Sequence, residues 1–178
     1  MKLSEGNPYR FDQPLRSAEA FFGRKGILDA CWDVIKQQNS CLSIVGGPGS
    51  GKTSLLFRLL DPEEQRQRLD HGDPGPLVYL DCRTISDPEA FFRCASQPII
   101  AQLPPLEAEE YEAPITDDDE FLEFLEYRAK PPVFLLDDFC FLARNPAFPT
   151  AFFSYLRGLA ISLDVPLIVA SCEPLDSC

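Results

Sequence analysis

The fold is decided by the stretch Ser43-Ile44-Val45-Gly46-Gly47-Pro48-Gly49-Ser50-Gly51-Lys52-Thr53-Ser54-Leu55-Leu56. Gly46 is followed by four residues and then by Gly51-Lys52-Thr53, which matches the G-x-x-x-x-G-K-[ST] pattern of phosphate-binding loops. The preceding run, Cys41–Val45, has the aliphatic composition of a short buried strand. The apolar run that begins at Ser54 predicts a helix packed against a sheet. Because strand, loop and helix occur together, a glycine-rich turn without function is the weaker interpretation.

The loop has the chemistry to hold a di- or triphosphate. Its glycines let backbone N–H groups turn inward, and the N-terminus of the next helix adds partial positive charge. Lys52 would reach the β- and γ-phosphates and assist catalysis, whereas Thr53 would ligate Mg²⁺. The residues expected to contact the nucleotide here are Gly46, Gly47, Pro48, Gly49, Ser50, Gly51, Lys52, Thr53 and Ser54.

Composition and charge limit the classes of partner. The 178 residues suit one domain, and 45% hydrophobic and 25% charged residues are typical of a soluble globular protein. The net charge of −12 argues against unaided binding to nucleic acid or to an anionic membrane. No secretory signal is visible, and the seven cysteines are odd in number without a C-x-x-C pair, so we expect reduced cysteines and a cytoplasmic location. With a single histidine, His71, a zinc site is disfavoured.

An acidic segment covers residues 107–120 and contains eight acidic residues and no basic one. It would serve as a docking surface for a basic partner or form a solvated loop. A charge run of this kind is more often solvated, so we favour the loop.

A family resemblance follows from the residues ahead of the loop. Phe21-Phe22-Gly23-Arg24 precedes a run over 25–38 whose apolar residues have helical spacing. With the phosphate loop, this order resembles the nucleotide-binding module of AAA+ ATPases of the origin-recognition kind and of the related STAND signalling ATPases. The resemblance implies ATP and Mg²⁺ as ligands, with Gly23 and Arg24 bordering the adenine and ribose. Residues 1–20 would be an N-terminal arm, and residues 21–178 a nucleotide-binding domain that is the incomplete core of a longer protein.

The second half of the predicted site lies at Asp137 and Asp138. Four apolar residues followed by an acid are typical of a central parallel strand that delivers a carboxylate beside the phosphate loop. By resemblance, Asp137 would hold Mg²⁺ through water, as the Walker B aspartate does. Asp138 stands where AAA+ enzymes usually have the glutamate that polarises the attacking water. STAND proteins often have Asp-Asp, so the pair moves the resemblance toward them and predicts slow hydrolysis.

Alternatives remain for the Asp137-Asp138 pair and for Ser171. Asp137 and Asp138 would otherwise be two acids at a strand end, but a buried acidic pair repels itself unless a metal or proton is shared. Ser171 ends the last predicted strand, at the position called sensor 1 in the resembling families. There it would contact the γ-phosphate or the attacking water in catalysis, or merely cap the strand.

The elements predict a three-layer α/β P-loop NTPase sandwich with a mainly parallel sheet in the strand order 1-4-3-2. The first strand would be an edge, which we expect the N-terminal arm or another molecule to cover. The resembling families continue with a fifth strand and a helical lid, which the resemblance implies would lie beyond residue 178. Residues 61–75 are predicted to be a loop because they are polar and contain prolines and glycines. Residues 140–149 are predicted to be a loop because they contain two prolines and polar residues.

Two functions follow from the resemblance. The first is a regulatory ATP·Mg²⁺-binding NTPase module, with slow or no hydrolysis by this chain, that couples nucleotide state to assembly or signalling through a protein partner or self-association. The second is an AAA+ loader of the origin-recognition kind that acts on DNA through domains beyond this chain. An inert fold is disfavoured because Lys52, Thr53 and Asp137 are all present.

Overall fold

The computed structural model describes residues 24–38, 41–69 and 74–175. The predicted arm at residues 1–20 and the predicted ligand contact Gly23 lie outside these residues. The helices and strands are α1 (Lys25–Gln37), β1 (Cys41–Val45), α2 (Lys52–Leu59), α3 (Pro62–Arg68), β2 (Leu77–Asp81), α4 (Pro88–Ile100), α5 (Pro105–Ala108), α6 (Asp118–Glu126), β3 (Val133–Asp137), α7 (Cys140–Ala143), α8 (Thr150–Ser162) and β4 (Leu167–Ser171). Short 3-10 helices cover Cys82–Thr84 and Glu109–Tyr111.

The strands form one parallel sheet in the order β1-β4-β3-β2. This confirms the predicted α/β fold class and strand order. Val45 is in register with Ser171, and Asp81 with Asp137. Because all strands run in the same direction, their carboxyl ends meet at one edge of the sheet, where ligands bind in open α/β folds.

Helices cover the sheet on both faces, giving three layers. The first face packs against α1 and α2, and its core includes Trp32, Leu55 and Leu135. The second face packs against α4, α6 and α8. Aromatic rings fill much of this second layer, with Phe91 and Phe152 meeting edge to face at a centroid distance of 5.0 Å. Both β3 and β4 are buried along their whole length, which explains their almost uninterrupted apolar sequences.

The first strand lies at an edge of the sheet, as predicted. Its residues Cys41, Ser43 and Val45 alternate along the strand and are exposed. Of the two predicted covers for this edge, the arm lies outside the described ranges, and another molecule stays a prediction.

The structure corrects the prediction of a loop over residues 61–75, because α3 occupies Pro62–Arg68. Asp61 caps this helix by accepting hydrogen bonds from the N–H groups of Glu63 and Glu64, at 2.9 and 3.0 Å. Proline at the first helical position and acids in the first turn also favour a helix start. The prediction was wrong because the loop indicated by the glycines and prolines near residue 74 was taken to begin at residue 61, which overlooked this capping signal.

Two other predicted loops contain helical turns. The short helix α7 lies within the region 140–149 that was predicted to be a loop. In the acidic segment, the chain forms the end of α5, a 3-10 turn and the start of α6. Ile115 is fully buried there, so one side chain of the segment reaches the core although most of its acids are exposed.

Cysteine chemistry differs in part from the expectation. Cys31, Cys41, Cys82, Cys94 and Cys172 are free thiols. Cys140 is disulfide-bonded, which corrects the prediction that every cysteine is reduced. Disulfide pairing depends on which cysteines the fold brings together, and spacing along the sequence did not reveal it.

None of the described helices is both long and apolar enough to cross a membrane.

Replacing Gly75 with alanine is expected to lower the free energy of unfolding by about 2 kcal/mol, because a left-handed backbone and a steric clash act together. Gly75 has a φ of 91°, and a Cβ there would lie 2.4 Å from the backbone oxygen of Pro131. Chemical denaturation of both proteins measures the difference. In Gly158→Ala, the control, the added Cβ meets nothing within 4 Å inside α8, and helix propensity predicts equal or greater stability. Equal stability of Gly75→Ala and the unaltered chain would contradict the expectation.

Candidate functional site

The predicted phosphate loop joins β1 to α2 at the carboxyl edge of the sheet. Gly49 and Gly51 have φ values of 72° and 79°, so the loop needs glycine at both positions. The N–H of Ser50 donates to the carbonyl of Gly47 at 3.2 Å and closes a turn within the loop. As at every helix start, the first N–H groups of α2 have no acceptor inside the helix, so they can donate hydrogen bonds to an anion.

Lys52, the first residue of α2, is only 7% exposed. Its ammonium group donates to the carbonyls of Gly46 at 2.6 Å and of Gly47 at 3.3 Å. In the same loop, the hydroxyl of Ser50 is buried and has no hydrogen-bond partner in the part of the chain that the structure describes. The Lys52 ammonium and the unpaired Ser50 hydroxyl fit a bound polyphosphate, because phosphate oxygens accept hydrogen bonds from both groups.

Thr53, Ser54 and Arg24, which were also predicted as nucleotide or metal contacts, lie beside this loop. Thr53 is half-buried in the first turn of α2, followed by the buried Ser54. Arg24 precedes α1, and its guanidinium donates to the carbonyl of Ser50. A Cβ built on Gly51 would lie 3.1 Å from the Arg24 guanidinium. The structure thus brings Arg24 to the phosphate loop, and its predicted contact with adenine and ribose stays a prediction.

Asp137 ends β3 and is 1% exposed. The hydroxyl of Tyr79 donates to its Oδ2 at 3.0 Å, and the backbone N–H of Asp138 donates to its Oδ1 at 3.1 Å. Within the described ranges, no lysine or arginine forms an ion pair with Asp137. A buried carboxylate without a cationic side chain fits a bound metal ion.

Asp138 follows in the left-handed conformation, with a φ of 53°. Burial raises the pKa of its carboxyl, as does the neighbouring Asp137, while Arg83 and Lys52 act in the opposite direction. The backbone shows how the two segments lie: the N–H of Gly46 donates to the carbonyl of Ser171 at 3.1 Å, and the N–H of Phe139 donates to the carbonyl of Ala170 at 3.0 Å, so the phosphate loop and the turn after Asp137 both adjoin the end of β4. The two halves of the predicted site therefore lie together.

An arginine that was not predicted as a site residue adjoins these acids. The Nε and Nη2 atoms of Arg83 donate to the two oxygens of Asp81 at 2.9 and 2.6 Å, and Nε lies 3.3 Å from Oδ2 of Asp138. The hydrogen bond from Arg83 lowers the pKa of Asp81. Arg83 is about half exposed, so solvent screens this cluster on one side.

Ser171 is fully buried at the end of β4. Its hydroxyl donates to the carbonyl of Glu173, and its own carbonyl accepts the N–H of Gly46 at 3.1 Å. Ser171 therefore contacts the phosphate loop through its backbone, while its hydroxyl is hydrogen-bonded to the residue two positions after β4 ends. The predicted contact of that hydroxyl with phosphate stays a prediction.

Comparisons with known proteins agree with the architecture. No protein-family model matches the chain. No curated protein matches it by sequence. Among solved structures, the chain is similar to the ORC2 protein of Aeropyrum pernix, solved as ADPNP-ADP complexes, with a TM-score of 0.61 and 12% identity. The similarity covers 86% of this chain and 42% of that protein's chain. At this identity the likeness shows the fold, which is a P-loop NTPase-like α/β fold with a four-stranded parallel sheet.

Proposed function

We propose that this chain is an ATP·Mg²⁺-binding module of the AAA+ or STAND type that couples its nucleotide state to assembly or signalling. The observation that carries this proposal is that the loop before the buried Lys52 and the Asp137-Asp138 pair both adjoin the end of β4, at the carboxyl edge of the sheet. Lys52 would bind the β- and γ-phosphates together with the loop N–H groups and the Ser50 hydroxyl. The ORC2 protein, whose fold is similar, was solved as ADPNP-ADP complexes, which supports an adenine nucleotide.

Mg²⁺ fits this arrangement as a partner of the nucleotide. The described residues contain no group of three or more His, Cys, Asp or Glu side chains able to hold a metal ion by themselves. Mg²⁺ is commonly bound by one or two protein oxygens together with substrate phosphates and water. Thr53 would supply a protein oxygen, Asp137 would hold the ion through water, and the ion would neutralise charge on the phosphates.

Slow hydrolysis is part of the proposal. Asp138 would orient the attacking water, but its side chain is shorter than the glutamate found in fast AAA+ enzymes and lies beside Arg83. The hydroxyl of Ser171 would have to leave the Glu173 carbonyl before it could contact phosphate or water. Both features favour a switch that holds its nucleotide over an enzyme that turns it over rapidly.

The direct test is calorimetric titration of the chain with ATP and with ADP, in excess Mg²⁺ and in excess EDTA. We expect micromolar binding that is tighter with Mg²⁺. No binding by the folded chain would overturn the proposal, and rapid steady-state release of phosphate would overturn its slow-switch part.

Replacing Asp137 with asparagine is expected to lower the affinity for ATP in Mg²⁺ by about tenfold, while affinity in EDTA stays the same or rises. Asparagine keeps the size of the side chain and removes the charge that attracts the metal. The same titrations measure both constants. An equal loss with and without Mg²⁺ would show that Asp137 does not act through the metal.

A second candidate is an AAA+ loader that acts on DNA, and the fold similarity to the ORC2 protein favours it. The net charge of −12 predicts that this chain does not itself bind duplex DNA at physiological salt. The domains encoded beside it would separate the candidates. A basic winged-helix domain supports the loader, whereas repeats or an enzymatic domain support the signalling switch.

A further inference from the structure

Tyr79 lies one strand away from the proposed metal ligand and points at it. In the sheet, Tyr79 is in register with Leu135 and Asp81 with Asp137, so Tyr79 and Asp137 are diagonal neighbours on one face. A tyrosine is long enough to span such a diagonal, and its hydroxyl donates to Oδ2 of Asp137 at 3.0 Å.

The tyrosine is itself held in place by packing. Its ring meets that of Phe57 at a centroid distance of 5.1 Å, with 46° between the ring planes. Phe57 belongs to α2, the helix that begins with Lys52 and Thr53. Tyr79 therefore connects the helix that would hold the phosphates with the acid that would hold the metal.

The chemistry of the contact fixes the direction of the hydrogen bond. A phenol has one O–H donor, and a carboxylate oxygen accepts hydrogen bonds. The Tyr79 hydroxyl therefore donates, and Oδ2 of Asp137 accepts. The second oxygen of Asp137 accepts the backbone N–H of Asp138, so both oxygens have fixed directions.

We propose that Tyr79 is a positioning residue, which orients the Asp137 carboxylate for the Mg²⁺ that accompanies the nucleotide. This inference rests on the proposed nucleotide-binding function. In other metal-binding sites of proteins, residues that hydrogen-bond to a metal ligand and orient it contribute about 10- to 100-fold to metal affinity. Tyr79 would act only through Asp137 and would not contact the nucleotide.

The test replaces Tyr79 with phenylalanine, which keeps the ring against Phe57 and removes only the hydroxyl. Calorimetry gives the dissociation constant for ATP in excess Mg²⁺ and in excess EDTA, and the ratio of the two is the metal enhancement. We expect the enhancement to fall about tenfold while the constant in EDTA changes less than about twofold. If binding in EDTA is too weak to measure, electron paramagnetic resonance of Mn²⁺ added to the ADP-saturated chain reports the same loss.

A matched control and a double variant separate positioning from general damage. Tyr127→Phe removes the same hydroxyl from a side chain that is 71% exposed at the end of α6, and is expected to leave both constants unchanged. In an Asp137→Asn background, Tyr79→Phe should produce little further loss, because both changes act on one ligand.

Each outcome decides the inference. A metal enhancement in Tyr79→Phe equal to that of the unaltered chain overturns the inference. A larger enhancement overturns it as well, because the phenol would then compete with the metal for Asp137. Equal losses with Mg²⁺ and with EDTA would also overturn it, since a structural role affects both. No nucleotide binding by the unaltered chain would overturn the proposed function, and this inference with it.

Discussion

Replacing Lys52 with alanine is expected to weaken binding of ATP by about 10- to 100-fold, with or without Mg²⁺. The ammonium is buried within the phosphate loop and donates to the carbonyls of Gly46 and Gly47. When a polyphosphate binds, these hydrogen bonds would be exchanged for hydrogen bonds to phosphate oxygens. A hydrogen bond to a charged group contributes about 1.5–3 kcal/mol, and each 1.4 kcal/mol is tenfold in affinity.

The pattern across conditions distinguishes Lys52 from Asp137. Lys52 would contact the phosphates directly, so its loss should appear in EDTA as well as in Mg²⁺. Asp137 would act through the metal, so its loss should appear only in Mg²⁺. Calorimetric titration of both variants under both conditions gives this comparison.

Lys36→Ala provides the matched control, because Lys36 is exposed in the last turn of α1. It changes the net charge by the same amount and is expected to leave the affinity within about twofold, since distant exposed charges are screened. If Lys52→Ala binds ATP as tightly as this control does, the loop is not the phosphate site.

The sheet order could be predicted because the signals for parallel strands are local. Val133–Asp137 is uninterruptedly apolar up to its acid, and Leu167–Ser171 follows the same pattern, so both indicate strands buried on two faces. The phosphate loop then fixes where β1 ends and α2 begins. An extra strand lies in the sequence between the loop strand and the Asp-Asp strand, and this insertion suggests the order 1-4-3-2, which the structure confirms.

The parts that were missed depend on contacts between distant residues. Tyr79 reads as an ordinary aromatic residue in a strand, and its bond to Asp137, 58 residues further along the chain, exists because β2 and β3 pair in one register. Arg83 reads as a solvated charge that pairs locally with Asp81, and it contacts Asp138 because the ends of the same two strands lie side by side. No spacing along the sequence predicts these contacts.

The helix α3 was missed for a different reason, since its signal is local. Asp61-Pro62-Glu63-Glu64 has the same cap, proline and early acids as Asp87-Pro88-Glu89, which begins α4. The helix is polar on most of its surface, so it lacks the apolar stripe that usually marks one. Its stability comes in part from an ion-pair network that the sequence alone did not reveal.

That network makes Glu64 the residue whose replacement should destabilise the fold most among the changes considered. Glu64 is 4% exposed and accepts hydrogen bonds from Arg58 of α2 and from Arg68 of α3, the latter at 2.8 Å. Arg68 also pairs with Asp29 of α1 at 2.6 Å, so the network joins three helices. Asp61, the other acid near Arg58, is 3.7 Å away.

Glu64→Gln is therefore expected to lower the free energy of unfolding by about 3 kcal/mol, because it keeps the side-chain volume but leaves a largely buried arginine without its counter-charge. Chemical denaturation measures the change. Glu63→Gln is the matched control, since Glu63 is exposed in the same first turn of α3 and makes the same small contribution to the helix dipole. The control should lose no more than about 0.5 kcal/mol. If both variants unfold alike, the buried network does not stabilise the packing of α1, α2 and α3, and the dipole term alone accounts for the acids of this turn.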